Sequence, residues 1–310
     1  MTDLATSTSA PVGTPAAPQR ARSGRGRRVA VGLLAVVLLA VLWELVKLVV
    51  PDTGGHVLGA SVLPRTDDVA MPHVWTIGQR MLEPETSAVG SPTVLSAMLQ
   101  ACWFTFRVAL AGWVLGSVGG FLVALLMQRW TVAESALLPW VVLSQTVPLI
   151  ALAPLVVGWG GRIHIGSFEW QRWMSVALIA SYLAFFPVAV GALRGLQSPP
   201  AAQVELFRAL AAGWSRTLLG LRLPASVPYL LPALRLGAAT AVVGAIVAEV
   251  STGTKGGIGR MIISYAQSAS GDPAKPWGAI VGAAVLGLVA AGLVSLLGLG
   301  LGRYRHAEVS

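Results

Sequence analysis

Six long apolar stretches constrain this chain more than any other feature of its sequence. The first, Val29 to Val50, would rise about 33 Å as a helix, enough to cross a hydrocarbon core of roughly 30 Å. The others cover about Cys102 to Met127, Ala136 to Trp159, Trp173 to Leu193, Tyr229 to Val250 and Trp277 to Leu301. In lipid no water satisfies backbone N–H and C=O groups, so such segments are expected as helices that close their own hydrogen bonds. Composition agrees: 55% of residues are hydrophobic and 11% charged, against roughly 25% charged in a soluble domain. A soluble fold of this size would lack the polar groups to cover its exterior. The chain reads as an all-α integral membrane protein of about six transmembrane helices, with the lipid bilayer as its main surroundings.

The net charge of +9 does not point to nucleic acid. Arginine concentrates beside the apolar stretches, and no basic stripe with interleaved aromatics occurs. Cys102 is the only cysteine, and the four histidines have no metal-ligand spacing, so neither a metal nor a cofactor is expected. Residues 1–28 read as a disordered cytoplasmic arm, 29–50 as the first span, 51–99 as a polar extracytoplasmic connector, 100–304 as the main membrane domain and 305–310 as a cytoplasmic tail. Arg27-Arg28 before an apolar run is also the pattern of a twin-arginine export signal. The run is too long for one and has no convincing cleavage site. Orientation follows from Lys and Arg. With the N-terminus inside, the inner segments hold Arg20, Arg22, Arg25, Arg27, Arg28, Arg129, Arg194, Arg208, Arg216, Arg222, Arg303 and Arg305 against few carboxylates. In the outer segments the cations are balanced by a similar number of acids. Both termini are expected in the cytoplasm.

Three features inside the apolar stretches stand out. Gly112, Gly116 and Gly120 recur every four residues in the second stretch, and Gly278 and Gly282 in the last. Small residues let helix backbones approach closely in lipid, either as static packing or as a sliding face. The third stretch carries Pro139, Pro148 and Pro154, with Ser144, Gln145 and Thr146 before the middle proline. One kinked helix is expected there, with Gln145 and Thr146 on a translocation pathway. The bland alternative has Ser144 and Thr146 bonding their own backbone and only Gln145 reaching another helix. Glu249, one turn from the end of the fifth stretch, is either a pathway carboxylate or an interfacial one solvated from outside. No G-x-x-x-x-G-K-[ST] loop occurs, and no catalytic set is visible, so the chain is expected to be non-catalytic.

The segment 194–228 is different: amphipathic, arginine-bearing and punctuated by proline. Glu205-Leu-Phe-Arg-Ala-Leu-Ala211, followed by Leu221-Arg-Leu-Pro224, resembles the cytoplasmic "EAA" loop of binding-protein-dependent ABC importer permeases. That pattern runs Glu-Ala-Ala, three residues, Gly, nine residues, Ile, one residue, Leu-Pro. Leu206 and Phe207 replace its alanines and Ala211 its glycine, so Gly213 is expected to supply the bend. Pro224-Ala-Ser-Val-Pro228, Ala248-Glu249 with Gly257-Ile-Gly259, Gln145-Thr-Val-Pro148 and Ala153-Pro-Leu155 are similar to further stretches of the nitrate/sulfonate/taurine-type permeases, in the same order.

The resemblance implies a type I ABC importer membrane domain over about Trp103 to Tyr304 that works as a homodimer. Its partners would be two ATPase subunits inside and a solute-binding protein outside. ATP hydrolysis would then belong to a separate chain, and the solute would be small and polar. It also implies that Glu205, Leu206, Phe207, Arg208, Leu210, Ala211, Gly213, Leu221, Leu223 and Pro224 couple the chain to its ATPase. An apolar face of Leu206, Phe207 and Leu210 would sit in a groove of that partner. The competing reading is an ion-coupled secondary transporter, which should show several intramembrane carboxylates or an inverted repeat.

Overall fold

The computed structural model describes residues 25–54, 56–57, 60–61 and 65–300. Of the expected disordered arm, 1–28, residues 1–24 lie outside these, whereas Arg25 to Arg28 form the first turn of a helix; the expected tail, 305–310, also lies outside. Helix α1, Arg25–Val49, belongs to a unit by itself, with its apolar side chains exposed along its length. A helix with that surface needs lipid or another apolar partner around it.

The second unit runs from Val50 onward. Its elements in order are a ribbon of β1 (His56–Val57) and β2 (Ala60–Ser61), then α2 (Val74–Leu82) and α3 (Val94–Arg129). Next come α4 (Thr131–Leu143), a 3-10 turn at Ser144–Thr146 and α5 (Leu149–Gly160), then a ribbon of β3 (His164–Ile165) and β4 (Phe168–Glu169). They are followed by α6 (Arg172–Leu196), α7 (Ala201–Ala209), α8 (Trp214–Thr217), a π-helical turn at Leu218–Arg222, α9 (Leu223–Thr252), α10 (Ile258–Gln267) and α11 (Ala274–Gly300). Among the described residues, five helical stretches are long and apolar enough to cross a membrane, or six if α4 and α5 count as one broken span.

Helix α3 runs for 36 residues, about 54 Å, longer than the hydrocarbon core. It starts at Val94, inside the expected connector, where the Thr93 side chain accepts a hydrogen bond from the Ser96 N–H at 3.2 Å. Helices α3 and α6 run side by side in the same direction. A β-carbon built on Gly112 would lie 2.5 Å from the Ala180 β-carbon, on Gly116 2.3 Å from the Ser181 carbonyl oxygen, and on Gly120 2.7 Å from that of Phe185. The glycine stripe is thus where two backbones touch. Helix α9 packs against α6 in the opposite direction, with Gly237 beside Val188 and Gly244 beside Ala180. One apolar core joins Val108, Ile179, Val242 and Ile258, and a second gathers Met127, Leu193, Leu196 and Leu218 near the other end of the bundle.

Two expectations are corrected, and a further helix is found. The third apolar stretch is not one kinked helix: α4 with its 3-10 turn and α5 meet at 100°. Pro148 has no N–H to continue a helix and holds Val147 extended, at φ −70° and ψ 124°, whereas Pro139 and Pro154 stay inside helices. The segment 194–228 is not a loop, because α8, the π-helical turn and α9 form one helical run, Trp214–Thr252. Pro224 cannot donate to the carbonyl of Gly220, and the widened turn absorbs that missing bond and the ring. The glycine-rich stretch between the last two spans holds α10, entered after Gly253 ends α9 in the left-handed conformation at φ 64°.

Candidate functional site

The first site is the segment between α6 and α9. Helix α7 has nine residues, none of them buried, and is too short to persist alone. Leu206 and Leu210 are 57% and 68% exposed. Phe207 instead turns inward toward the π-helical turn, where a β-carbon on Gly220 would lie 3.4 Å from its ring. The expected apolar face of three residues is therefore a face of two. Glu205 and Arg208 are exposed, Leu221 and Leu223 are half-buried, and Pro224 lies in the first turn of α9. Arg222 donates to the Leu196 carbonyl at 2.9 Å, tying the end of α6 to the start of α9. Trp214 donates to the Gln128 side chain, with Arg129 over its ring, so the end of α3 reaches the same place.

Ala211 is the one non-glycine residue with positive φ among the described residues, at φ 50°. Its N–H donates to the Arg208 carbonyl, and the Ala212 N–H donates to that of Phe207, closing α7 on itself. Gly213, expected to supply the bend, is in an ordinary conformation at φ −62° and ψ 165°. The bend belongs to Ala211.

The second site is the break between α4 and α5. Ser144 donates to the Val141 carbonyl and Thr146 to that of Leu143, so both hydroxyls satisfy their own helix. Gln145 and Thr146 are exposed, and among the described residues the Gln145 amide bonds only the Ser144 hydroxyl. Tyr182 of α6 donates to the Ser144 carbonyl, pinning the turn to the bundle.

The third site surrounds Glu249, which is fully buried, so the reading as an interfacial carboxylate solvated from outside is overturned. The Thr105 hydroxyl lies 2.8 Å from its Oε1 and 3.0 Å from its Oε2, and the Gly259 N–H donates to Oε2 at 2.9 Å. The Ile258 N–H donates to the Thr105 hydroxyl at 2.9 Å. Helix α10 has no capping side chain from its own N-cap residue, Gly257. Its first N–H groups are instead met by Thr105 and Glu249 from α3 and α9, as a helix N-terminus favours. A β-carbon on Gly257 would sit 2.1 Å from the Glu249 carboxyl carbon. At this end of the bundle Tyr265 donates to Glu85 at 2.8 Å, Lys275 donates to the Glu85 carbonyl, and Arg80 pairs with Asp272 at 2.6 Å. Burial first, then the Glu85 hydrogen bond, pushes the Tyr265 phenol well above its ordinary pKa, so it stays a donor.

Comparison with known proteins turns on these same segments. A model of the family described as "Binding-protein-dependent transport system inner membrane component" matches residues 116–304, which include all of α4 to α11. The chain belongs to this family. It is the permease subunit of an ABC importer, built on the type I membrane domain, and a multi-pass membrane protein. It is 32% identical to a formylaminopyrimidine transport permease, ThiX, of Halalkalibacterium halodurans over 57% of this chain and 70% of that one. It is 28% identical to a putative aliphatic sulfonates transport permease, SsuC, of Bacillus subtilis over 89% and 88%. With a riboflavin transport system permease, RibX, of Chloroflexus aurantiacus it shares 30% over 43% and 46%. The alternative of an ion-coupled secondary transporter is set aside. Membership in the family implies ATPase and binding-protein partners in general.

In the permease, Ala211 occupies the place where the "EAA" pattern has glycine, and it carries the conformation that glycine adopts freely. Holding an alanine left-handed costs about 1–2 kcal/mol. Ala211→Gly is therefore expected to be tolerated and to gain up to about 1 kcal/mol, less what glycine loses in chain entropy. Thermal unfolding of the purified permease checks this; a clear loss would place the bend elsewhere. Aspartate also tolerates left-handed backbone, so Ala211→Asp is a poor probe of this turn.

Sequence reading passed over two cations inside apolar stretches, Arg107 and Arg235. Arg107 is the only charged residue between Val94 and Gln128 of α3 and is exposed. A lone cation in an apolar stretch was the signal available.

Proposed function

We propose that the permease works as a homodimer with two copies of a separate ATPase chain bound at α7. A small polar solute would be received from an extracytoplasmic binding protein at the α10 end of the bundle. Both termini and the 194–228 segment then face the cytoplasm, and 51–99 faces outward, as the arginine distribution favours. Residues 100–304 act as the transport domain. The printed names of the relatives, a formylaminopyrimidine, an aliphatic sulfonate and a riboflavin permease, support a small organic solute but do not select among these classes.

The observation that carries the coupling role is the exposure of Leu206 and Leu210 on a helix too short to stand alone. A groove that covers them supplies what α7 lacks, and Glu205 and Arg208 flank the contact. Because only the short turn at residues 210–213 separates α7 from one helical run to Thr252, a push on α7 is passed to α9. The break at Ser144–Pro148 supports the pathway reading of Gln145 and Thr146. Exposed irregular backbone at membrane depth is tolerated where it lines water or is covered by protein, and a dimer-lined channel supplies both. Glu249 then acts on the pathway through α10 rather than by touching solute.

Leu206→Asp and Leu210→Asp test the coupling role. Desolvating an unpaired charge in a groove is expected to remove about 2.8 kcal/mol or more, weakening ATPase binding on the order of a hundredfold. The spans should stay folded. Co-purification of the ATPase with tagged permease, and ATP hydrolysis stimulated by binding protein, are the measurements, with Arg216→Ala as a neutral control. Normal binding and stimulation in both aspartate variants would remove α7 from the contact.

A further inference from the structure

Arg107 lies on α3 two residues after Thr105, so it sits at the end of the bundle where Glu249 and α10 are locked together. Thr105 faces the buried side and Arg107 the open one. The guanidinium lies over the Trp103 ring, 5.8 Å from its centroid, and Arg107 is one of the residues lining a cavity of about 340 Å³. Phe104, Val108, Ala111 and Trp173 form the rest. Trp173 follows Arg172, the first residue of α6, so a second cation stands in the same helical turn. Among the described residues no carboxylate pairs with Arg107. Glu249 cannot serve, since it is enclosed and committed to Thr105 and Gly259.

An arginine held on an apolar helix without a carboxylate has five N–H donors to satisfy. Its planar fork matches an oxyanion, and the aromatic walls match the apolar or flat body to which such a group is attached. We propose that this cavity is a binding site for an oxyanion on a small organic body: a sulfonate, carboxylate or phosphate. The oxyanion reaches it from the solute or from an anionic lipid headgroup. The proposal rests on the importer reading only for the statement that the cavity opens on the solute-receiving side.

The test uses the full chain in nanodiscs with Ala111→Cys in a Cys102→Ser background. The probes are sulfonatoethyl methanethiosulfonate and its trimethylammonium analogue. With Arg107 present, the anionic reagent is expected to label the cysteine about tenfold faster than the cationic one, the low end of electrostatic focusing in a cleft. Arg107→Gln should bring the ratio close to one, and Arg107→Lys should keep most of it. Millimolar ethanesulfonate should slow labelling only when Arg107 is present, which identifies the solute as the source. Slowing by phosphatidylglycerol in place of phosphatidylcholine, without any effect of ethanesulfonate, identifies the lipid. Equal ratios with arginine and glutamine would overturn the site. In sealed vesicles the cysteine should be reached from the side opposite a cysteine at Ser215. Labelling from the same side, with the charge preference intact, would overturn the importer orientation and leave the oxyanion site standing.

Discussion

Gly257→Ala is expected to unfasten α10 from the bundle and abolish transport. The added β-carbon would lie 2.1 Å from the Glu249 carboxyl carbon and 2.2 Å from its Oε1, so the carboxyl group has to move. It is fully buried, and moving it breaks contacts to the Thr105 hydroxyl and the Gly259 N–H together. A buried polar group stripped of its hydrogen-bond partners costs about 1–3 kcal/mol, and more if it carries charge. The loss for Gly257→Ala should approach the top of that range. Thr105→Val removes the hydroxyl that meets both Glu249 and the Ile258 N–H, and should destabilise by a similar amount. The two effects should not add, because one cluster is lost in either case. Gly78→Ala on α2, where a β-carbon meets nothing within 4 Å, is the control. Thermal unfolding in detergent, with hydrogen exchange at Ile258 to Gln267, reads the result. Native-like protection of α10 in Gly257→Ala would show that the carboxylate does not hold it.

Gly116→Leu should prevent α3 and α6 from packing at all. Even a β-carbon there lies 2.3 Å from the Ser181 carbonyl oxygen and 2.9 Å from the Ala184 β-carbon, and neither can swing aside as a long side chain would. Gly116→Ala is expected to cost about 1–3 kcal/mol, and leucine, with three more carbons to place, more than about 3 kcal/mol. Gly119→Ala is the discriminating neighbour. Its nearest contact is the Phe185 ring at 3.8 Å, so it should be neutral or gain about 0.5–1 kcal/mol from replacing a helical glycine. Yield of folded permease and its unfolding temperature separate the two. A Gly116→Leu variant that unfolds like the parent would mean that α3 and α6 do not touch at this stripe.

Fold class and family were legible along the chain alone. Apolar length decides which segments become membrane helices, because the backbone in lipid must satisfy its own hydrogen bonds whatever lies nearby. The spacing from Glu205 to Leu223-Pro224 was legible for a similar reason: it is local, and short helices with a bend read out along the chain. The glycine stripe announced a close approach, although nothing local said that α6 would fill it. Packing between helices set the rest. A proline can kink a helix or end it, and whether Pro148 does one or the other depends on what receives the exposed turn; here Tyr182 of α6 does. Whether Ala211 or Gly213 carries the bend is invisible in composition, because alanine enters the left-handed region only where its neighbours hold it there. Glu249 looked like a group for solute or for water at the interface. Its partners, Thr105 and the start of α10, come from α3 and from the far side of a tight turn, and such pairings are decided by packing in three dimensions.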